Sequence, residues 1–418
     1  MAIYQEILEQ AKKAKTASFA LANASAEQRN RFLSLLSKNL IERQEKVVEA
    51  NQKDLAQAKA SGRNSAYLER LGISKAGIRK MAASLFAVRE LPDPLNRLLW
   101  ETKRPNGLLI KQVAVPIGVI AIIYESRPDV TVEAASLCLK SGNAVILKGG
   151  SDSLHTNTFL AQILRQSLKE AKLPEDSISL VASRDHAAVD YLLSLSGYIN
   201  LVIPRGGESL IRAVVEKSRI PVIKHYKGVC HTYIDKTADL KMAWSITLNA
   251  KTQRPATCNA TETLLVHRDI APDFLPEMAR LFQGKGVEMR GCPETRKIVL
   301  QALTAKKSDW GNEFLDLVIA IKVVGSLREA IDWVNIYGTG HSEAIITEDN
   351  EAAERFLREV DAAAIYHNAS TRFTDGFEFG LGAEIGISTD KIHARGPMGL
   401  KELTSYKYLV YGDGQART

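Results

Sequence analysis

The sequence predicts an α/β protein built on a doubly wound parallel sheet. Apolar strand-like runs alternate with helical patterns between about residues 118 and 203, and these runs are apolar throughout, so they need helices on both sides. Two of them end in glycine-marked turns. Right-handed crossovers would bring the loops after the strands to one edge, where ligands bind.

Residues 1 to about 95 read as helices. Ser25 with Gln28 three positions later makes a capping box, and Phe32, Leu36 and Leu40 repeat on one face, while Glu42 to Lys53 reads as solvent-facing. Leu91-Pro92-Asp93-Pro94 ends the section, because proline lacks a backbone donor and disfavours helix before it. A strand is expected at Leu108 to Val115. There follow a strand at Gly118 to Tyr124, a helix at Thr131 to Lys140, a strand at Ala144 to Leu147, a helix at Thr156 to Ala171, a strand at Ile178 to Val181, a helix at His186 to Ser194 and a strand at Asn200 to Ile203. A second α/β region runs from about Cys230 to Glu384. Its clear pieces are Cys230 to Ile234, Thr263 to Val266, the helix Phe274 to Phe282, Val318 to Val324, the helix Ser326 to Ile336, and Ala344 to Thr347. The tail Thr404 to Tyr411 alternates Tyr406, Tyr408 and Val410, as a strand does.

At 418 residues the chain is long enough for at least two domains, and its 45% hydrophobic and 25% charged content is that of a globular protein. A net charge of +7 favours anionic substrates slightly, but the basic residues never form a block, so nucleic acid is not expected as a partner. Four cysteines without close pairing point to a reducing compartment. The opening Met1-Ala2-Ile3-Tyr4 lacks an export signal, and no apolar run approaches the ~20 residues that cross a bilayer. A cytoplasmic location with no membrane contact is the expectation. The histidines stand apart, so no catalytic metal is expected.

No G-x-G-x-x-G follows a strand. Instead Ala144 to Leu147 runs into Lys148-Gly149-Gly150-Ser151, and Leu201 to Ile203 into Pro204-Arg205-Gly206-Gly207. A lysine at a strand end can place its ammonium beside ribose hydroxyls or phosphate, and glycines at a helix N-terminus let backbone approach a pyrophosphate. Among the cysteines, Cys138 sits in a helical, burying context. Cys230 begins a strand whose neighbour His231 points to the opposite face, and Cys292, in Gly291-Cys292-Pro293, reads as a surface turn. Cys258 is flanked by small and polar residues with Lys251 and Arg254 nearby, the setting of a reactive thiolate. On its residues alone it stands between nucleophile and structural cysteine.

Five strings add to this reading. They are Tyr124-Glu125-Ser126-Arg127-Pro128-Asp129-Val130-Thr131; Lys227-Gly228-Val229-Cys230-His231; Thr252-Gln253-Arg254-Pro255 with Cys258-Asn259; Asn368-Ala369-Ser370-Thr371-Arg372-Phe373; and His393-Ala394-Arg395-Gly396-Pro397-Met398. In this order the chain resembles the aldehyde dehydrogenase superfamily over nearly its whole length, and more narrowly the branch that reduces gamma-glutamyl phosphate. The resemblance implies an aldehyde dehydrogenase-like α/β fold. A cofactor domain would cover residues 1–230, with flap strands near 99–116 and a return near 386–402; a catalytic domain would cover 231–385, and an oligomerisation strand 403–418.

The resemblance also implies NADPH-dependent reduction of L-glutamyl 5-phosphate to L-glutamate 5-semialdehyde, with release of phosphate, through a thioester on Cys258, in proline biosynthesis. Ser126 and Arg127 would contact the oxyanion or the phosphate. Lys148, Gly149, Gly150, Ser151, Gly206 and Gly207 would hold the dinucleotide, and Asn368, Arg372 and Arg395 the amino-acid carboxylate. Partners would be the acyl phosphate, further copies of the chain and, transiently, glutamate 5-kinase. Two departures from the wider superfamily matter. The water-activating glutamate of its E-L-G-G-like segment is missing from His225-Tyr226-Lys227-Gly228-Val229-Cys230, and Ser126 stands where an oxyanion asparagine is usual. Two rival readings are an aldehyde dehydrogenase that makes a free acid, separated by phosphate dependence and product, and a non-catalytic binding protein of the same fold, separated by the reactivity of Cys258.

Overall fold

The computed structural model describes residues 2–224 and 226–417. His225, in the segment lacking an acid, and Met1 and Thr418, at the outer limits of the expected domains, lie outside the described residues. The chain packs as two compact units, Met1–Lys224 with Gly380–Gly386 and Met398–Thr418, and His225–Phe379 with Ile387–Pro397.

The first unit carries two sheets. Strands β1 (Leu98–Lys103) and β2 (Leu109–Pro116) pair antiparallel, and the C-terminal strand Thr404–Tyr411 adds to the far side of β2, with Tyr406 opposite Ala114 and Tyr408 opposite Gln112. The other sheet is parallel and four-stranded: β3 (Val119–Tyr124), β4 (Ala144–Gly149), β5 (Ile178–Leu180) and β6 (Leu201–Arg205), in the order β5-β4-β3-β6. Every residue of β3 and β4 is buried, as strands covered on both faces must be. Ile7, Ala11 and Ala14 of the helix Ala2–Ala22 pack with Val119, Ala121, Ile123, Ala144 and Ile146. The order reverses between β3 and β6, which makes their carboxyl ends a topological switch point. The register sets Tyr124 beside both Gly149 and Arg205 there.

The helix Ala26–Glu42 starts with the expected capping box, and Phe32, Leu36 and Leu40 are fully buried. The solvent-facing reading of Glu42 to Lys53 needs correction. A helix Gln44–Ala60 begins after Arg43, and its Val47, Asn51 and Asp54 are buried. Asn51 donates to Leu71 O (2.9 Å) and accepts from Ile73 N (2.8 Å), and Asp54 accepts from Thr156 N (2.8 Å) at the start of the helix Leu154–Glu170. Polar residues point inward here because they satisfy the free backbone groups of neighbouring segments.

The second unit is built on a parallel sheet of β7 (Cys230–Ile234), β8 (Thr261–His267), β9 (Glu288–Gly291), β10 (Leu303–Thr304), β11 (Val318–Val324), β12 (Ser342–Ile346) and β13 (Ala364–His367), in the order β10-β9-β11-β8-β7-β12-β13; the short strands Gly386–Ser388 and Gly396–Met398 pair separately. Phe274, Met278 and Phe282 of the helix Ala271–Gly284 fill one face. On the other, Tyr233 stacks on Phe356 (centroids 6.2 Å apart) beside Leu265, Ile331 and Ile345. No described helix is long and apolar enough to cross a membrane.

Candidate active site

Asp239 caps the helix Leu240–Thr252 by accepting from Met242 N (2.7 Å), and the chain then turns through residues 253–260 into β8. Lys251, in the last helical turn, and Glu262, in β8, form an ion pair in which both side chains are fully buried. It ties the two ends of the turn together. Burial lifts the Glu262 carboxyl to about 7 despite Lys251, and burial likewise pulls the lysine down. Glu262 Oε1 also accepts from Leu315 N (3.1 Å). Within the turn, Ala260 N donates to Thr257 O (3.0 Å), Asn259 Nδ2 to Thr374 O (2.9 Å), and Thr371 Oγ1 to Asn259 O (2.7 Å). Cys258 sits on this braced turn and is the one partly exposed cysteine of the four.

The main chain of Cys258 is held from a second side. A Cβ on Gly228 would overlap the Cys258 carbonyl oxygen, so residue 228 must be glycine for the two segments to meet. The Cys230 thiol donates to the same oxygen (3.2 Å). Gly228 is itself fixed, its N–H donating to Glu313 Oε1 (2.8 Å), while Val229 N donates to Thr339 Oγ1 (3.0 Å) and that hydroxyl to Lys227 O (2.8 Å). Glu313 was not legible in the sequence, since nothing local marks a residue 85 positions from its partner.

Two arginines frame the turn. Arg254 is exposed, and Arg372 is partly buried with its Nε donating to Gln253 Oε1 (2.9 Å). Burial, then the field of Arg254, lower the Arg372 pKa, while Cys258 acts in the opposite sense. A guanidinium within the field of the thiol is what an anionic substrate needs there. The other two expected carboxylate ligands have protein partners here. Asn368 exchanges its amide with the backbone of Thr347, Oδ1 accepting from Thr347 N (3.0 Å) and Nδ2 donating to Thr347 O (2.9 Å). Arg395 Nη2 donates to Asp361 Oδ1 (2.7 Å).

In the first unit the carboxyl edge gathers the expected cofactor residues. Lys148 is 7% exposed, and its Nζ donates to the carbonyl of Gly149 (2.9 Å). Burial lowers its pKa. An ammonium with a single carbonyl partner keeps donors available for hydroxyl or phosphate oxygens. Side chains on Gly149, Gly150 and Gly206 would strike Asn157, Ser126 and Glu125, so these three admit neighbouring protein groups, whereas at Gly207 the nearest atom would be Glu125 Oε1 at 3.7 Å. Gly207 precedes the helix Glu208–Lys217 and has room above it. Ser151 is exposed, with Oγ 3.4 Å from Asp152 Oδ1.

The Tyr67 phenol donates to Asp152 Oδ2 (2.7 Å), so its oxygen takes the Ser126 hydroxyl (2.8 Å), and the serine is committed within its own unit. Arg127 is exposed and has no hydrogen-bonded side-chain partner among the described residues. The remaining cysteines are buried. Burial pushes the Cys138 and Cys230 thiols far up, which keeps them protonated. Cys292 is 7% exposed, against the surface turn expected: its sulfur accepts from Thr295 N (3.4 Å) and caps the helix Pro293–Ile298. Among the described residues no three His, Cys, Asp or Glu side chains could hold a metal ion.

The profile of the aldehyde dehydrogenase family matches residues 2–296 and 294–408. Gamma-glutamyl phosphate reductase of Carboxydothermus hydrogenoformans is 54% identical over 412 residues, covering 99% of each chain. That of Halothermothrix orenii is 48% identical over the full length of both. The crystal structure of gamma-glutamyl phosphate reductase from Thermotoga maritima superposes with a TM-score of 0.97 at 46% identity, covering 99% of this chain and 100% of the other. An acetylating aldehyde dehydrogenase from Geobacillus thermoglucosidasius shares the fold, with a TM-score of 0.71 at 15% identity, over 100% of this chain and 98% of the other.

Proposed function

Because the chain belongs to the aldehyde dehydrogenase family and, within it, to the gamma-glutamyl phosphate reductases, we propose that it reduces L-glutamyl 5-phosphate to L-glutamate 5-semialdehyde in proline biosynthesis. The observation that carries the mechanism is Cys258, a partly exposed cysteine on a turn braced by the Lys251–Glu262 pair and by Gly228. Its sulfur attacks the acyl carbon, a C–S bond forms as the C–O bond to phosphate breaks, and phosphate leaves with the electron pair. Phosphate is a good leaving group and needs little help from an acid. Arg254 and Arg372 hold the anionic ends of the substrate.

Family membership implies a nicotinamide dinucleotide, and the finer reading is NADPH. Lys148, a buried ammonium with one carbonyl partner, and the open backbone at Gly207 suit a ribose phosphate and a pyrophosphate. When bound, the cofactor supplies the hydride that reduces the thioester on Cys258. The thiohemiacetal then collapses, the C–S bond breaks, and the thiol is restored with release of the aldehyde. Neither Lys227, Gly228 nor Val229 carries an acid, so this segment supplies no carboxylate to activate water against the thioester. Lys148, the room above Gly207 and the carboxyl edge of β3, β4 and β6 support reading the first unit as the cofactor domain, with the second as the catalytic domain. The exposed Tyr406, Tyr408 and Val410 on the C-terminal strand support reading the antiparallel sheet as a contact between copies of the chain.

The test is mass spectrometry of enzyme quenched after mixing with acyl phosphate and no reductant. A glutamyl adduct is expected on the peptide containing Cys258, and an unmodified peptide under turnover-competent conditions would overturn the proposal.

A further inference from the structure

Resting on the reading of Cys258 as the nucleophile, we propose that Cys230 is a positioning residue for it: its thiol, donating to the Cys258 carbonyl across the bare backbone of Gly228, sets the orientation of the nucleophile's main chain. Fixing that carbonyl fixes the ψ angle of Cys258, and so constrains where its Cα–Cβ bond can point. Three observations converge. The Cys230 sulfur lies 3.2 Å from Cys258 O and 3.7 Å from His341 Nδ1, so the carbonyl is the nearer acceptor for the single thiol proton. Cys230 is fully buried, and that burial keeps the proton on sulfur. The pairing of β7 with β8 shifts between Cys230 and His231, where Cys230 faces Thr261 and His231 faces Thr263, leaving Glu262 as the extra residue. Such bulges re-aim side chains beside active sites, and this one joins the donor to the ion pair that closes the turn.

The donor is itself held in place. His341 Nδ1 lies 2.8 Å from Ser342 Oγ, Ser342 Oγ 2.6 Å from Thr374 Oγ1, and Thr374 Oγ1 2.7 Å from the Tyr366 hydroxyl. This buried chain runs behind Cys230, and Thr374 also supplies the carbonyl that accepts from Asn259 Nδ2. The side chain next to the nucleophile and the thiol that orients the nucleophile are therefore anchored to the same segment. A thiol is a weak donor, and the Gly228 notch survives its removal, so its loss should misalign the reaction without abolishing it.

The experiment compares Cys230→Ala, Cys230→Val and Cys230→Ser with the parent and with Cys258→Ala. Readouts are kcat, KM for acyl phosphate and for NADPH, melting temperature, and the rate at which iodoacetamide alkylates Cys258 in the free enzyme. Alanine or valine, whichever is folded, should lower kcat by about tenfold and alter the alkylation rate, with both KM values within twofold. Serine, which keeps a donor, should restore kcat to within about threefold of the parent. Parent-like kcat and alkylation in the alanine and valine variants, or a serine variant no better than they are, would overturn the positioning role. An active Cys258→Ala would instead overturn the nucleophile reading on which it rests.

Discussion

Lys251 and Glu262 face each other in full burial across the turn that carries Cys258, one at a helix end and the other as the bulged residue of β8. Removing one partner of such a pair strands the other charge in the interior. Lys251→Met should cost about 3–5 kcal/mol of stability at pH 8, measured by denaturant unfolding. The cost should shrink at pH 5.5, because burial raises the Glu262 carboxyl and loss of Lys251 raises it further, so the stranded group is neutral there. Its folded pKa lies above the ordinary 4.5, so the folded protein holds more proton between those values, and this group's contribution to stability falls as pH rises through that window. Glu262→Gln should flatten that slope, and an unchanged pH profile would contradict it.

Cys258→Ala should abolish acyl phosphate reduction while leaving NADPH affinity within a few-fold of the parent by isothermal titration. Retained turnover would remove the thioester from the mechanism.

With Glu313 accepting from a backbone N–H and no acid between residues 226 and 230, aldehyde oxidation should depend on added phosphate. Product analysis in phosphate-free buffer is the check. Equal rates with free glutamate as product would favour a hydrolytic enzyme.

Lys148→Met removes an ammonium whose one partner is the Gly149 carbonyl. The KM for NADPH should rise by about tenfold or more, with a smaller change for NADH, since the extra phosphate is what the charge serves. Equal losses for both would place the lysine elsewhere on the dinucleotide.

Tyr406, Tyr408 and Val410 are each more than half exposed on the C-terminal strand. Tyr408→Lys should shift the protein to smaller species in sedimentation velocity, with its melting temperature little changed. An unaltered sedimentation coefficient would argue against that face as a contact.

The strands β3, β4, β6 and β11 were legible because each is a near-continuous apolar run, as a doubly covered sheet demands. The short, partly exposed β9 and the two-residue β10 carry no such signal; β9 forms on the edge that β11 offers, and β10 on the edge of β9. In the site, Cys258 and Lys148 were named from residue type and neighbours, and Arg372 from the family resemblance. Ser126, Asn368 and Arg395 could not be judged that way, since Tyr67, Thr347 and Asp361, which engage them, are distant in sequence. Gly228 and Cys230 escaped for the same reason: a close approach between segments leaves no local trace.

The strand Thr404–Tyr411 completes a sheet with β2, a partner that precedes it by almost 300 residues, with Thr404 opposite Pro116. Between the two lies the whole β7–β13 sheet. At about 5–20 residues per second a ribosome needs roughly 15–60 s to pass from one to the other. During that interval a growing chain would show β2 with its outer edge bare, a vacancy any extended segment nearby could fill. Nascent chains halted before residue 404 should therefore recruit chaperones more strongly than those released after 411.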